Sequence, residues 1–313
     1  MWFILALLAV IGWGIEDVFL RAGTDSKDKL SQYRIAVVTG MWFGICDLVA
    51  MYFSESHLSV FALFQKNIVL TIVPVIYAFT LILSHVGFRY LEASIMAPLK
   101  NAGGAFSTLM FLSWYAYKST INNVWEQITI TDIIGTILIV VGIIVLGYVE
   151  NYLDTHSIFP KNALGFWAFV FPLIFCCTDA LDTVVCGIML EDSSGADIAC
   201  YDYYRLYAFC FLLEGIFSWL YLWHKEKKIY NPFAKFRRSF LVAGGLEAVS
   251  MLAYIIAMDI EPMYVAVIIT PYCVFTELTA YIFLKERFTK GQYLCFAAII
   301  LGILLMGCSE LLA

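Results

Sequence analysis

Charged residues are scarce in this chain of 313 residues. They make up only 14% of it, whereas 62% of the residues are hydrophobic and the mean hydropathy is +0.84. A soluble protein of this size would be about one quarter charged and about half apolar. The composition therefore excludes an ordinary soluble globular protein and predicts a polytopic membrane protein.

The sequence also lacks the spacings that mark metal centres and nucleotide sites. Its four histidines are scattered, and most of its nine cysteines fall inside apolar runs, where a thiol usually acts as a small hydrophobe. No zinc-type Cys/His spacing, Walker-type loop, Gly-x-Gly-Asp stretch, His-Glu-x-x-His or Gly-x-Ser-x-Gly is present. We therefore expect no metal, no cofactor, no disulfide framework and no nucleic-acid partner, and we do not expect an enzyme.

Long apolar runs dominate what is present. Each run has about the 20 residues that a helix needs to cross a bilayer core, so the sequence predicts ten membrane-spanning helices. They cover roughly residues 2–21, 33–53, 69–89, 93–115, 132–150, 164–189, 200–223, 239–259, 263–284 and 292–309. We expect the first run to be a spanning helix rather than a removed signal peptide.

The second half of the chain repeats features of the first half. The matched features are a glycine spacing, a proline motif and a tyrosine–arginine pair: Gly135-x6-Gly142-x4-Gly147 with Cys295-x6-Gly302-x4-Gly307, Ala93-x-Ile95-x-x-Pro98 with Ala266-x-Ile268-x-x-Pro271, and Tyr33-Arg34 with Tyr204-Arg205. Five helices per half make the second copy enter the membrane from the opposite side. The predicted fold is an all-α membrane protein of ten transmembrane helices in two inverted five-helix repeats, 1–151 and 164–313, joined by a linker over 152–163.

The matched segments resemble a known family. Pro271, the turn Glu286-Arg287-Phe288-Thr289, the glycine-rich last run and the early Trp13-Gly14 resemble the EamA-type repeat of the drug/metabolite transporter superfamily. The first half departs from that pattern after Pro98, and Cys295 stands where the repeat usually has glycine. The resemblance implies a ten-helix carrier of small metabolites without an ATP-binding domain.

Basic residues predict the orientation in the membrane. Lysine and arginine are concentrated in the odd-numbered links, while the even-numbered links carry only Lys66, Lys118 and Arg205. By the positive-inside rule, both termini lie outside the cytoplasm of a cell-membrane protein. The family resemblance implies the reverse for many members, and we follow the charge distribution.

Carboxylates at membrane depth are the first candidates for a binding site, because burying them in a bilayer is costly. Asp179 and Asp182 are three residues apart and share one helix face, so they are expected to interact in a cavity and to suit proton coupling. Glu247 lies beside two glycines in the eighth run. Of the neighbours Glu16 and Asp17, Glu16 is favoured, because it matches Asp179 in the repeat.

Two charged candidates have open roles. Lys100 either anchors a substrate carboxylate or neutralises a nearby acid, and Glu277 either lines the transport path or pairs with Lys100. Aromatic rings beside acids can hold an ammonium group by cation–π attraction. The aromatic candidates for the cavity wall are Trp13, Tyr77, Trp114, Tyr203, Tyr204, Tyr207, Tyr254 and Tyr272. Of these, we select Trp13, Tyr204 and Tyr254 as site residues.

The sequence thus favours a secondary active transporter of a small metabolite. Excess acid and aromatic residues favour a cationic or zwitterionic amine, moved by alternating access between the halves, with protons as a candidate coupling ion. The expected partners are this small-molecule substrate and the lipid bilayer. A membrane-embedded enzyme and a non-transporting membrane sensor are the alternatives.

Overall fold

The computed structural model describes residues 1–25, 27–54, 59–66, 68–89, 130–153, 163–190, 199–234, 238–269, 271–283 and 289–312, together with residues 100, 103, 107, 110, 111, 113, 114 and 117. Within these residues the fold is all-helical. The helices are α1 (Trp2–Gly23), α2 (Ser31–Phe53), α3 (Val60–Lys66), α4 (Ile68–His85), α5 (Ile130–Leu153), α6 (Ala163–Leu190), α7 (Cys200–Glu226), α8 (Arg238–Ile260), α9 (Pro262–Ile269), α10 (Tyr272–Phe283) and α11 (Lys290–Leu312). A 3₁₀ turn, Gly87–Arg89, follows α4.

Seven helical segments in the described part of the chain are long and apolar enough to cross a membrane. They correspond to the predicted spans one, two, three, six, seven, eight and nine. In α5 and α11, which correspond to spans five and ten, the qualifying apolar stretches Ile133–Gly142 and Lys290–Gly302 are shorter. Most of the predicted fourth span, including Pro98, lies outside the described residues.

The helices pack in pairs. The most extensive contacts join α2 to α7, α1 to α8, α5 to α11 and α4 to α6. Aromatic side chains fill the crossing of α2 and α7, where the rings of Phe43 and Phe211 stack with their centroids 4.2 Å apart. Tyr203, Tyr204 and Tyr207, one helical face of α7, are fully buried in the same core.

Glycines let two of these pairs approach closely. A Cβ atom added to Gly40 of α2 would lie 2.4 Å from the carbonyl oxygen of Phe211, and one added to Gly215 of α7 would lie 3.1 Å from the Cα of Gly40. Between α5 and α11, a Cβ on Gly302 would lie 2.7 Å from the carbonyl oxygen of Gly135. Larger residues at these positions would force the helices apart.

The predicted ninth span consists of α9 and α10, with Pro271 in a turn between them, and the stretch Tyr264–Phe283 is long and apolar enough to cross a membrane. Proline has no amide hydrogen and clashes with the preceding turn, so it interrupts a helix here. Broken backbone at membrane depth is tolerated where it is buried in protein or lines a cavity, and Ile269 and Tyr272 on either side of the break line one.

Ion pairs tie the ends of α2 and α7 together. Near the start of α2, Arg34 forms ion pairs with Glu226 at the end of α7 and with Asp28, the latter at 2.9 Å. Near the start of α7, Arg205 lies 3.5 Å from Asp47, which is in the second half of α2. Each arginine thus contacts an acid toward the far end of the other helix, so the two helices are antiparallel.

Candidate functional site

A small cavity lies at the centre of the bundle. Its volume is about 40 Å³, and its walls come from α1, α4, α6, α8, α9 and α10 together with Lys100. This volume is enough for about one water molecule, whose share of liquid volume is about 30 Å³. Both halves of the chain therefore contribute to one small polar site.

Three carboxyl groups face the cavity. Asp179 and Asp182 lie on α6 and Glu247 lies on α8. Asp182 is held in place by Tyr207 of α7, whose hydroxyl donates a hydrogen bond to Oδ1. Tyr207 is in turn 3.4 Å, oxygen to oxygen, from the hydroxyl of Tyr203. A buried chain of tyrosines from α7 thus fixes the orientation of one cavity acid.

Lys100 supplies positive charge to the cavity wall and is already paired. Its Nζ lies 2.8 Å from Oδ1 of Asp17 on α1, and both side chains are buried. The other oxygen, Oδ2, is 3.5 Å from the Thr276 hydroxyl of α10. This ion pair links Lys100 to α1 and shows that Asp17 is an acid that Lys100 neutralises.

Three aromatic rings surround the Lys100 ammonium. Its Nζ lies 5.5 Å from the ring centroid of Phe88, 5.6 Å from that of Phe175 and 5.8 Å from that of Tyr272. All three distances are within the range of cation–π attraction, about 6 Å. The rings therefore help to hold a buried positive charge that would otherwise be costly at this depth.

A second pair of acids lies beside this lysine. The carboxyl groups of Glu16 on α1 and Glu247 on α8 lie close to each other, and Lys100 is close enough to interact with both. Two like charges at short range in a buried site repel each other, so a neighbouring base stabilises the pair. The centre of the bundle therefore holds two adjacent acids, one from each half of the chain, beside one lysine.

Aromatic rings form the rest of the cavity wall. The Trp13 centroid lies 5.5 Å from that of Tyr254 and 6.3 Å from that of Tyr272. The rings of Tyr77 and Phe175, which also line the cavity, have their centroids 5.5 Å apart. Acids and aromatic faces in one cavity are the combination that attracts a protonated amine.

The structure brings together most of the predicted site residues. Those that line the cavity are Trp13, Lys100, Asp179, Asp182, Glu247 and Tyr254. Glu16 does not line the cavity but lies close to Glu247, which does. Glu277, fully buried in α10, and Tyr204 do not line the cavity. The Tyr204 hydroxyl instead donates to the carbonyl oxygen of Ala248 at 3.0 Å.

Some residues of the site were not predicted from the sequence. Asp17 was set aside in favour of its neighbour, yet it forms the ion pair with Lys100, and Glu16 and Asp17 are both buried. Neighbours on a helix are about 100° apart, and both can face inward when the helix is surrounded on several sides. Tyr77 and Tyr272, which were among the aromatic candidates, line the cavity together with Phe175, which was not. Nothing in the sequence distinguishes Phe175 from the many rings that only pack.

The all-helical fold, the membrane-length helices and the polar cavity inside the bundle define a multi-pass membrane protein. Residues 163–308 match the EamA-like transporter family, which confirms the resemblance predicted from the sequence over that part of the chain. The family indicates a membrane transporter of the drug/metabolite type.

Comparison with individual proteins adds only the fold. No curated protein matches the chain significantly. A solved structure described only as "Crystal structure of protein" is similar over 96% of this chain and 94% of its own, with a TM-score of 0.66 and 11% sequence identity. At that identity the likeness concerns the arrangement of helices and not the substrate.

Proposed function

We propose that this protein is a secondary active transporter that moves a small cationic or zwitterionic amine by alternating access, with protons as the coupling ion. The observation that carries the proposal is the central cavity, in which Asp179, Asp182 and Glu247 face aromatic rings. The lysine in the same wall is already paired with Asp17. The charge that faces the cavity is therefore in acid excess, which favours a positively charged guest.

Lys100 supports a zwitterionic substrate in particular. An ammonium group has three donors, and its ion pair with Asp17 uses one of them. The remaining donors are available for a substrate carboxylate while the acids on α6 and α8 take the substrate amine. A substrate that carries both an ammonium and a carboxylate group could bind to these acids and to Lys100 at the same time.

The packing supports two inverted five-helix repeats. Gly142 and Gly302 are equivalent in the sequence repeat, and so are residues 135 with 295 and 139 with 299. A Cβ added to Gly142 would meet Cys295 and Ile299, and one added to Gly302 would meet Gly135 and Ile139, which are the equivalent residues. Such reciprocal contacts are what a two-fold relation between the halves 1–151 and 164–313 produces.

The helix pairing follows the same relation. If α1 corresponds to α6 and α4 to α8, then the contact of α1 with α8 has its counterpart in the contact of α6 with α4, and both are among the most extensive. The ion pairs of Arg34 and Arg205, which are equivalent in the tyrosine–arginine repeat, also occupy opposite ends of α2 and α7. We therefore keep ten helices as the proposed architecture.

The size of the cavity supports a moving mechanism. Sites for small organic molecules usually measure about 300–1,000 Å³, whereas this cavity measures about 40 Å³. A substrate can be admitted only if the walls separate. Because the walls come from both halves, their separation on one side or the other would open the site alternately.

The proximity of Glu16 and Glu247 supports proton coupling. Two neighbouring acids in a buried site are not readily ionised together, so the pair is suited to hold a proton. An arriving ammonium group could replace a proton at Glu247, which lines the cavity. Exchange of one proton for one amine at a single acid couples the two movements.

We also propose the cell membrane as the location, with both termini outside the cytoplasm, because lysine and arginine are concentrated in the odd-numbered links. Accessibility of single cysteines, introduced at residue 27 and at residue 228 of a cysteine-free variant, to a membrane-impermeant reagent tests this. Both residues lie in odd-numbered links, so labelling from outside intact cells would contradict the orientation.

The transport proposal is tested with the purified protein in sealed vesicles. We expect uptake of small radiolabelled amines and zwitterions, faster with an imposed pH gradient and weaker for anions of the same size. If the uptake rate does not depend on the pH gradient, the proposed proton coupling is wrong. If anions are taken up as fast as amines, the proposed preference for amines is wrong.

A pair of variants links the activity to the cavity. Glu247→Gln removes a carboxylate that lines the cavity, and Glu277→Gln removes a buried carboxylate that does not. After both variants are shown to be monodisperse, we expect uptake to fall at least about tenfold only in the first. An equal loss in both would show that the cavity is not the substrate site.

A further inference from the structure

A second, larger cavity runs along the outside of the bundle between α3, α4 and α7. Its volume is about 740 Å³, and it shares no lining residue with the central cavity. Its walls are mostly apolar and aromatic, and Phe61, Phe79 and Phe217 are exposed there by 71%, 63% and 65%. We call it the α4–α7 groove. In a membrane it would open to the lipid.

One residue of the groove, Glu214, carries an acidic group, which is unusual in a surface that faces lipid. Glu214 of α7 lines the groove and is only 8% exposed. Its Oε2 is buried, and among the residues that the structure describes it has no hydrogen-bond partner. A buried carboxylate without a donor is costly, and at membrane depth it usually marks a ligand or ion. The groove therefore supplies an acceptor that lacks its donor.

The rest of the groove fits an apolar body with a positive end. Glu214 is one helical turn from Ser218, and beyond it the rings of Tyr33 and Tyr221 lie with their centroids 4.5 Å apart. At the other end, Phe64 and Phe209 pack with their ring centroids 5.5 Å apart. From Phe209 to Tyr221 the groove follows α7 for about 18 Å, at 1.5 Å per residue. A plain acyl chain would fill this length but would leave the acid without a donor.

We propose that the α4–α7 groove binds an amphiphilic amine, whose apolar body lies along the phenylalanines and whose protonated nitrogen donates to Glu214. This site is separate from the central cavity and does not depend on the transport proposal. Charge complementarity selects the occupant: a carboxylate among aromatic faces attracts an ammonium group both directly and by cation–π contact.

The test uses photoreactive dodecylamine as the probe and photoreactive dodecanol as its uncharged match. Both partition into a bilayer, but only the amine can donate a charged hydrogen bond to Glu214. With the full-length protein in lipid nanodiscs, we expect the amine to label Phe79 or Phe217 at concentrations where the alcohol does not. Equal labelling by the two probes would show that the groove contacts lipid chains without selecting for an amine, and this result would overturn the proposal.

Variants assign the binding to its residue. Glu214→Gln should weaken labelling of the groove at least about tenfold, the change that corresponds to about 1.4 kcal/mol, while Glu247→Gln in the central cavity should leave it unchanged. Phe217→Ala, a change at an exposed side chain, should weaken labelling without affecting the fold. If Glu214→Gln labels as the unmodified protein does, the proposal fails. If Glu247→Gln alone abolishes labelling, the amine site is the central cavity, so this inference fails while the transport proposal survives.

Discussion

The ion pair between Lys100 and Asp17 allows a quantitative test of the central site. The two charged atoms are 2.8 Å apart, and the side chains are exposed by 7% and 1% respectively. Removal of one partner from a buried pair leaves an uncompensated charge and costs about 3–5 kcal/mol of stability. Both Lys100→Met and Asp17→Asn should therefore destabilise the protein strongly.

The two variants should not cost the same. Lys100 also interacts with Glu16 and Glu247, so in Asp17→Asn the ammonium group keeps two acids nearby. In Lys100→Met, the acids Asp17, Glu16 and Glu247 all lose the positive charge with which they interact. We expect the lysine variant near the upper end of the range, about 5 kcal/mol, and the aspartate variant near the lower end, about 3 kcal/mol.

The assay is a double-mutant cycle on reversible unfolding in mixed micelles, followed by tryptophan fluorescence. Because the second substitution removes a charge that the first left uncompensated, the double variant should be less unstable than the sum of the singles by about 2–3 kcal/mol. Lys228→Met, at an exposed position beyond α7, is the control and should change stability by less than about 0.5 kcal/mol. Additive costs for the pair would refute the contact. So would a Lys100→Met variant as stable as the control.

Three further predictions concern packing, a hydrogen bond and the aromatic wall. Gly302→Val should destabilise by about 1–3 kcal/mol in the same unfolding assay, because its Cβ would lie 2.7 Å from a backbone oxygen of α5, whereas Leu304→Val on the exposed face should be nearly neutral. Tyr207→Phe removes the donor to Asp182 and should cost about 1–3 kcal/mol, and an unchanged stability would contradict the hydrogen bond. An amine that the unmodified protein takes up should raise its melting temperature, and Trp13→Ala should reduce this rise. An equal rise in the variant would show that the Trp13 ring is not part of the site.

The sequence predicted most of the spanning helices because long apolar runs are a strong local signal. It did not predict the break between α9 and α10, although Pro271 was visible there. Proline is tolerated inside transmembrane helices when neighbours satisfy the freed backbone groups, and Pro74 and Pro172 do lie inside α4 and α6. Whether a proline breaks a helix depends on the surroundings, which a sequence does not display.

The site was partly predictable for a related reason. Acids at membrane depth are rare enough to single out, and Asp179, Asp182 and Glu247 all face the cavity. Their partners were not predictable, because pairing depends on distance in space. Lys100 was considered against Glu277, which is on α10, yet the acid within 2.8 Å is Asp17 on α1.

The helix packing follows the repeat more closely than the charge of the cavity does. The reciprocal glycine contacts of α5 and α11 recur across the halves, and they join two helices that do not line the central cavity. Asp179 matches Glu16 in the repeat, but Lys100 corresponds to Cys273 in the repeat of the Pro98 and Pro271 motifs, and a thiol cannot replace an ammonium group. A symmetric scaffold can open toward either side of the membrane at similar cost, because each half performs the movement that the other reverses. A site with acids on one side and a lysine on the other binds its substrate in one orientation. A carrier of this kind would keep a zwitterion in the same pose, amine toward α6 and α8 and carboxylate toward Lys100, whichever side is open.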